Sequence, residues 1–175
     1  TGPITKKPGN APPSVGQPSV VSRNEVPIDP RSISFKETGG IWAVVDASGK
    51  SILDFGSGGQ AKRNARDAAA IIKHYGMTSR GHIGSPGTFQ FWLVNGRAPA
   101  GPYRGEDAIS FDPNKLQVMQ VSGNWLIVEN GNHYMFNFGP SKANADAALA
   151  LIKQYGFTKT CYVGRPNAAM QYFRK

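Results

Sequence analysis

The histidines and the single cysteine are the residues best suited to metal binding or catalysis. His74, His82 and His133 are well separated along the chain, and none stands at a metal-ligand spacing from another histidine or from Cys161. A nucleophilic cysteine needs a histidine and an orienting partner, and no spacing in the sequence indicates either. We interpret Cys161 as a buried core thiol, and one cysteine leaves no internal disulfide.

Two other patterns with chemical potential are also incomplete. Asp46 and Asp54 flank a predicted hairpin, but their counterparts in a later repeat are Glu129 and Asn137, so a carboxylate pair is not kept. The loop "SGGQAKR" (57–63) precedes a predicted helix but lacks the full phosphate-binding pattern Gly-x4-Gly-Lys-Ser/Thr. We therefore predict a protein that is not an enzyme and needs no cofactor or metal.

Aromatic side chains are the first candidates for a binding surface, because sugars and bases both stack on exposed rings. Trp42 and Trp125 occupy equivalent positions of the repeat, and a core position is the alternative for both. Trp92 ends a later strand near a Gly- and Pro-rich connector. We expect Trp92 to be the most exposed tryptophan.

Polar residues complete the predicted site. Gln90 and Gln171 stand at matching points between aromatic neighbours, and Arg165 lies at a turn where its guanidinium could fork to a carboxylate, a phosphate or sugar hydroxyls. His133 and Asn137 belong to the predicted outward face of a strand. The candidate ligand-binding residues are Trp92, Trp125, Trp42, His133, Asn137, Arg165, Gln90 and Gln171.

An internal repeat must position these residues. The segment "IWAVVDASGKSILDFG" (41–56) recurs as "NWLIVENGNHYMFNFG" (124–139), and "DAAAIIKHYG" (67–76) recurs as "DAALALIKQYG" (146–156). The matches are colinear over about 65 residues, which indicates a duplicated structural unit.

Each copy reads as β-β-β-α-β-β. Apolar residues at helical spacing predict a helix up to Tyr75 and another up to Tyr155, each closed by a C-terminal glycine. Asn130-Gly131 predicts a tight hairpin turn. In the strand that follows, alternation predicts that Tyr134, Phe136 and Phe138 face the core.

The predicted fold class is α+β, a tandem repeat of two such units, each a small antiparallel sheet with one helix packed on it, related by a pseudo-two-fold. The predicted organisation is a flexible Pro/Gly/Ser-rich arm at 1–27, repeat 1 at 28–94, a connector at 95–110 and repeat 2 at 111–175. Because one copy makes a marginal core, we expect the repeats to pack as one globular unit. An arm before a repeat also suggests an upstream domain of a larger protein.

The composition supports a folded chain with an affinity for anions. The 175 residues are 39% hydrophobic and 18% charged, with a net charge of +9. A basic surface attracts anionic partners, although the absence of a dense Lys/Arg block is equally typical of a charge that serves solubility. No apolar run approaches the roughly 18 residues that a membrane span requires.

The function that these features favour is a lectin-like, carbohydrate-binding module of a secreted or cell-surface protein. Its tandem repeats would give avidity for a polysaccharide or glycan, and the basic charge would suit an anionic one. The alternative is a protein-interaction or targeting domain of a larger secreted enzyme or toxin. Nucleic-acid binding comes third, because the aromatic and basic motif of an RNA-binding sheet is absent.

Overall fold

The computed structural model describes residues 25–84 and 89–175. Residues 1–24, which make up most of the predicted arm, lie outside the described residues. The helices are α1 (Gly59–Tyr75) and α2 (Lys142–Tyr155). The strands are β1 (Val26–Pro27), β2 (Ser34–Thr38), β3 (Ile41–Val45), β4 (Ser51–Gly56), β5 (Ser79–Ile83), β6 (Phe89–Leu93), β7 (Asp107–Ser110), β8 (Leu116–Val121), β9 (Asn124–Glu129), β10 (His133–Asn137), β11 (Lys159–Val163) and β12 (Met170–Arg174).

The helix ends follow the local sequence signals. Both helices end at a glycine with φ of 68°, Gly76 in α1 and Gly156 in α2, and the N–H of each glycine bonds to carbonyls of the last turn. At the start of α2, the Ser141 hydroxyl accepts a hydrogen bond from the N–H of Asn144 at 3.1 Å. The two predicted glycine caps are confirmed, because left-handed backbone favours glycine, and Ser141 supplies the acceptor that a helix N-terminus needs.

The turn between β9 and β10 is also confirmed. Asn130 and Gly131 both have positive φ, 56° and 76°, as the tight hairpin requires.

The strand after that turn departs from simple alternation. Tyr134 pairs with Val128, but Phe136 pairs with the next residue, Ile127, so Met135 is the extra residue of a bulge. Phe136 is buried, as predicted, whereas Tyr134 is 57% exposed. The prediction of a core position for Tyr134 is wrong, because the bulge changes which side chains share a face.

The α+β class is confirmed, with two helices and four three-stranded sheets in the part of the chain that the structure describes. The sheets have the orders β2-β3-β4, β10-β9-β8, β1-β5-β6 and β12-β11-β7. The prediction of one sheet per copy is therefore too simple, because the two strands after each helix leave that copy's first sheet. All five residues of β6 and of β12 are buried. Strands of this kind need cover on both faces, which a single sheet with a solvent face does not provide.

The chain divides into two compact units built from discontinuous segments. The larger unit contains Glu25–Gly81, Gln90–Phe111 and Phe157–Lys175. In this unit α1 packs on β2, β3 and β4 and also contacts β11. The hairpin of β11 and β12 thus contributes to the core around α1. This core includes Ile33, Val44, Leu53, Ala68, Ala69, Ile71, Ile72, Tyr75, Met77, Trp92, Cys161, Val163, Met170 and Tyr172.

The smaller unit contains Asp112–Gly156 together with the adjoining ends of β5 and β6. Here α2 packs on β8 and β9. Phe89, at the start of β6, meets Phe136 edge-on, with 5.5 Å between the ring centroids, and Phe138 at 6.1 Å. The edge-to-face contact with Phe136 is favourable beyond the area that it buries.

Two glycines of α1 make a matched test of the C-terminal cap. Gly76→Ala places a Cβ in left-handed backbone, so we expect a loss of about 1 kcal/mol of unfolding free energy. Gly59→Ala, at the first position of the same helix, has normal helical backbone, and its Cβ would meet the Arg63 guanidinium at an ordinary 3.5 Å. Urea unfolding of both variants measures the difference. Equal stabilities would contradict the assignment of Gly76 as a conformational cap.

Candidate functional site

Trp92 is fully buried, not exposed. Its indole Nε1–H donates to the Gln90 side-chain oxygen at 2.8 Å. The prediction that Trp92 is the most exposed tryptophan is wrong, because β6 is covered along its whole length. Trp92 therefore offers no stacking surface for a ligand.

Gln90 and Gln171 are buried as well, and they hydrogen-bond to each other. The N–H of Gln90 donates to the side-chain oxygen of Gln171 at 3.0 Å, and the N–H of Gln171 donates to that of Gln90 at 3.2 Å. The Gln90 amide also donates to the Ala169 carbonyl at 3.2 Å. These bonds use the polar atoms within the protein, as buried amides require. The structure thus places both glutamines in a link between β6 and β12, away from any ligand surface.

Trp42 and Trp125 are partly exposed, and a helix lysine lies over each ring. The Lys62 Nζ atom is 5.2 Å from the Trp42 ring centroid, and the Lys142 Nζ atom is 5.5 Å from the Trp125 ring centroid. Both lysines belong to the first turn of their helix. Each contact has cation–π geometry, so the protein itself uses part of each tryptophan surface to hold a helix start.

His133 and Asn137 are exposed on β10, as predicted for its outward face. His133 Nδ1 lies 3.1 Å from a Glu129 carboxylate oxygen, and the other Glu129 oxygen accepts from the N–H of Asp112 at 2.7 Å. This backbone bond first, and then His133, hold the pKa of Glu129 below its usual range. The Asn137 oxygen accepts from the N–H of Gly139 at 2.7 Å. The NH2 group of Asn137 takes no part in this bond and remains available to other acceptors.

A shallow groove of about 260 Å³ lies beside Asn137 on the sheet of the smaller unit. We call it the Tyr134 groove, and its lining includes Ser122, Asn124, Tyr134, Met135 and Asn137. Alternation placed Tyr134 in the core and so missed it. A β-bulge has no sequence signature here beyond the hairpin turn that precedes it.

Arg165 is already engaged by a carboxylate. Its Nε–H donates to Asp107 at 2.7 Å, its NH2 group bonds the other Asp107 oxygen, and the guanidinium lies 5.0 Å from the Tyr162 ring centroid. Arg165 thus makes the predicted two-pronged contact with a carboxylate, but that carboxylate is Asp107 of the same chain and not a ligand. This bidentate pair raises the pKa of Arg165.

The densest polar cluster is one that the sequence did not indicate. The Glu106 carboxylate, with a side chain only 4% exposed, accepts hydrogen bonds from the Tyr75 hydroxyl at 2.6 Å, from the Tyr172 hydroxyl and from Arg174 Nε at 2.7 Å. Burial alone would raise the pKa of Glu106, but the hydrogen bonds, first from Arg174 and then from the tyrosines, hold it below its usual range. The bonds of the Glu106 carboxylate thus go to side chains of the protein itself.

Cys161 lies in the same core. Its burial, and after that the charge of Glu106, raises the pKa of the thiol to about 12. A thiol in this state is unreactive, because the thiolate is the nucleophile. The interpretation of Cys161 as a buried core residue is confirmed.

Removing the Glu106 charge tests the cluster. Glu106→Gln leaves the buried Arg174 without a counterion, so we expect a loss of about 3 kcal/mol at pH 7. Because the folded pKa of Glu106 is lowered, its contribution is present above the unfolded pKa near 4.5 and disappears as the pH falls through the folded pKa. The variant should therefore lose less stability than the parent in acid. Urea unfolding at a series of pH values measures both effects, and Glu37→Gln, at an exposed position, is the control. If the stability of Glu106→Gln varies with pH as that of the control does, Glu106 is not the stabilising counterion of Arg174.

The Cys161 thiol gives a second test. Its raised folded pKa means that stability falls as the pH rises from about 9, where the unfolded thiol ionises, towards about 12. Cys161→Ala should lessen that alkaline loss, and at pH 8 an aromatic disulfide reagent should label the parent only at its unfolding rate. Rapid labelling of the folded protein, compared with a urea-unfolded sample, would show that the thiol is accessible.

In the residues that the structure describes, no three histidines, cysteines or acids lie close enough to hold a metal ion. No helix within 25–84 and 89–175 has the length and apolarity to cross a bilayer. No protein-family model matches this chain, and no curated protein or solved structure shows significant similarity to it. The geometry of the Tyr134 groove therefore carries the functional argument.

Proposed function

We propose that this chain is a non-catalytic carbohydrate-binding module and that the Tyr134 groove is its sugar site. The observation that carries the proposal is the exposed ring of Tyr134 between two asparagines. Tyr134 is 57% exposed, compared with 41% for Ile41 and 40% for Val26, the other exposed large hydrophobic residues in the described part of the chain. A large exposed ring beside amides is suited to a ligand that has both C–H faces and hydroxyl groups.

The two asparagines supply the polar half of the site. Within the described residues, the Asn124 side chain and the Asn137 NH2 group make no hydrogen bond to the protein, while the Asn137 oxygen is fixed by the N–H of Gly139. An amide can donate two hydrogen bonds and accept others. A fixed Asn137 and an adjacent Asn124 thus provide directional partners for sugar hydroxyls at the edge of a stacked ring.

The first copy lacks the aromatic ring that marks this groove. Ser51 stands where the second copy has Tyr134, and its hydroxyl donates to Asp54, the counterpart of Asn137, at 2.6 Å. We infer that the second copy alone carries this sugar site. The pseudo-two-fold relation of the copies stays a prediction, and avidity through two like sites would need other residues of the first copy.

The net charge of +9 favours an acidic polysaccharide over a neutral one, because a basic surface raises the local concentration of polyanions. Such a ligand suits the proposed secreted or cell-surface location. The alternatives are a protein-docking domain and nucleic-acid binding. Both would use the same positive charge, but neither requires an exposed ring beside amides.

A glycan array with the parent chain and two Tyr134 variants tests the proposal. Tyr134→Ala should weaken binding about fivefold to thirtyfold, since a lost ring contact is worth about 1–2 kcal/mol. Tyr134→Phe keeps the ring and should retain most of the affinity. Ile41→Ala, which removes another exposed apolar side chain, is the matched control.

Three results would contradict this assignment. One is the absence of binding to any neutral or acidic glycan by the folded parent chain. Another is equal binding by the parent and Tyr134→Ala. The third is binding to oligonucleotides that falls steeply with salt while no glycan binds, which would indicate a nucleic-acid module.

A further inference from the structure

The larger unit contains a second cavity, of about 430 Å³. It lies between β1, the segment that follows it, the turn after β3 and the side chain of Arg80 on β5. We call it the Arg80 cavity. Its walls include Val26, Ile28, Ser32, Ser51, Ile52 and Arg80.

The Arg80 guanidinium is a partly buried cation without a carboxylate partner. One of its NH2 groups donates to the Ile52 carbonyl, and its central carbon lies 5.8 Å from the Trp92 ring centroid. Among the described residues, no acid places an oxygen within 4.0 Å of its nitrogens. Burial lowers the pKa of Arg80. Since a guanidinium carries five N–H donors, most of its hydrogen-bonding capacity stays available.

Two carboxylates at the cavity wall are directed to other partners. Asp29 accepts from the N–H and the Nε–H of Arg31 at 3.1 and 3.3 Å. Asp46 accepts from the Ser48 hydroxyl at 2.6 Å and from the N–H groups of Ser48 and Lys50 at 2.9 and 3.0 Å. The hydrogen bonds that both acids accept thus come from groups other than Arg80, and within the described residues the Arg80 guanidinium has no carboxylate partner.

We propose that the Arg80 cavity binds the carboxylate of a small organic acid with an apolar body. The guanidinium fork matches a planar carboxylate and makes short charge-assisted bonds to it. Trp92 supports the guanidinium from the core, while Val26, Ile28 and Ile52 supply apolar wall for the rest of the ligand. A volume of about 430 Å³ lies in the range of small-molecule sites.

The same walls disfavour inorganic phosphate. A phosphate bound at Arg80 has no apolar body to place against Val26, Ile28 and Ile52, so it would gain nothing from that part of the wall. The selectivity of the site thus depends on the apolar body of the ligand as well as on its charge.

Titration of the full chain with hexanoate and benzoate, followed by calorimetry and amide NMR shifts, tests this site. We expect saturation with a dissociation constant near or below about 1 mM. The neutral analogues hexanol and benzyl alcohol lack the carboxylate, and inorganic phosphate lacks the apolar body. Each should therefore bind at least about tenfold more weakly than the acids. Arg80→Gln should weaken hexanoate binding by about tenfold to a hundredfold, and Arg80→Lys by less.

A second variant keeps the test independent of Arg80. Val26→Trp fills the cavity from an exposed strand position and should also abolish binding, whereas Ile41→Trp makes the same kind of change elsewhere. The proposal is overturned if neither acid saturates by about 20 mM, if Arg80→Gln and Val26→Trp bind like the parent, or if phosphate binds as tightly as the acids. Glycan binding should be unchanged in these variants, so the two proposals fail separately.

Discussion

A single buried carboxylate organises the larger unit. Glu106 comes from the connector, Tyr75 from the end of α1, and Tyr172 and Arg174 from the last strand, so one charged group joins three distant parts of the chain. A buried ion pair adds little net stability compared with an apolar cluster, but it penalises any arrangement that separates the partners. The interaction therefore disfavours arrangements in which the connector or β12 moves away from the end of α1.

The two glutamines that bond to each other also fix the position of β12, because they join it to β6. These strands bury every side chain, so their backbone and side-chain polar groups must find partners inside the protein. Gln90 and Gln171 meet that need for each other and for the indole N–H of Trp92. Gln90, Gln171 and Trp92, which the sequence suggested as ligand contacts, thus form polar contacts of the core, and the two sites that we propose lie at Tyr134 and Arg80.

Local signals in the sequence predicted what local interactions determine. The caps at Gly76 and Gly156 and the Asn130-Gly131 turn depend on neighbouring backbone, and all three are where the pattern placed them. The exposure of Tyr134 and the burial of Trp92 depend on a bulge and on strands far along the chain. Alternation and position within a strand carry no information about either. Arg80 was missed for the same reason, since a cation without a partner is visible only when its surroundings are known.

The discontinuous larger unit also constrains how the protein can be made. The strands β11 and β12 leave the ribosome long after α1, yet they complete the core around that helix. During synthesis the apolar face of α1 therefore stays partly uncovered until β11 and β12 have been made. Contacts so distant in sequence form slowly.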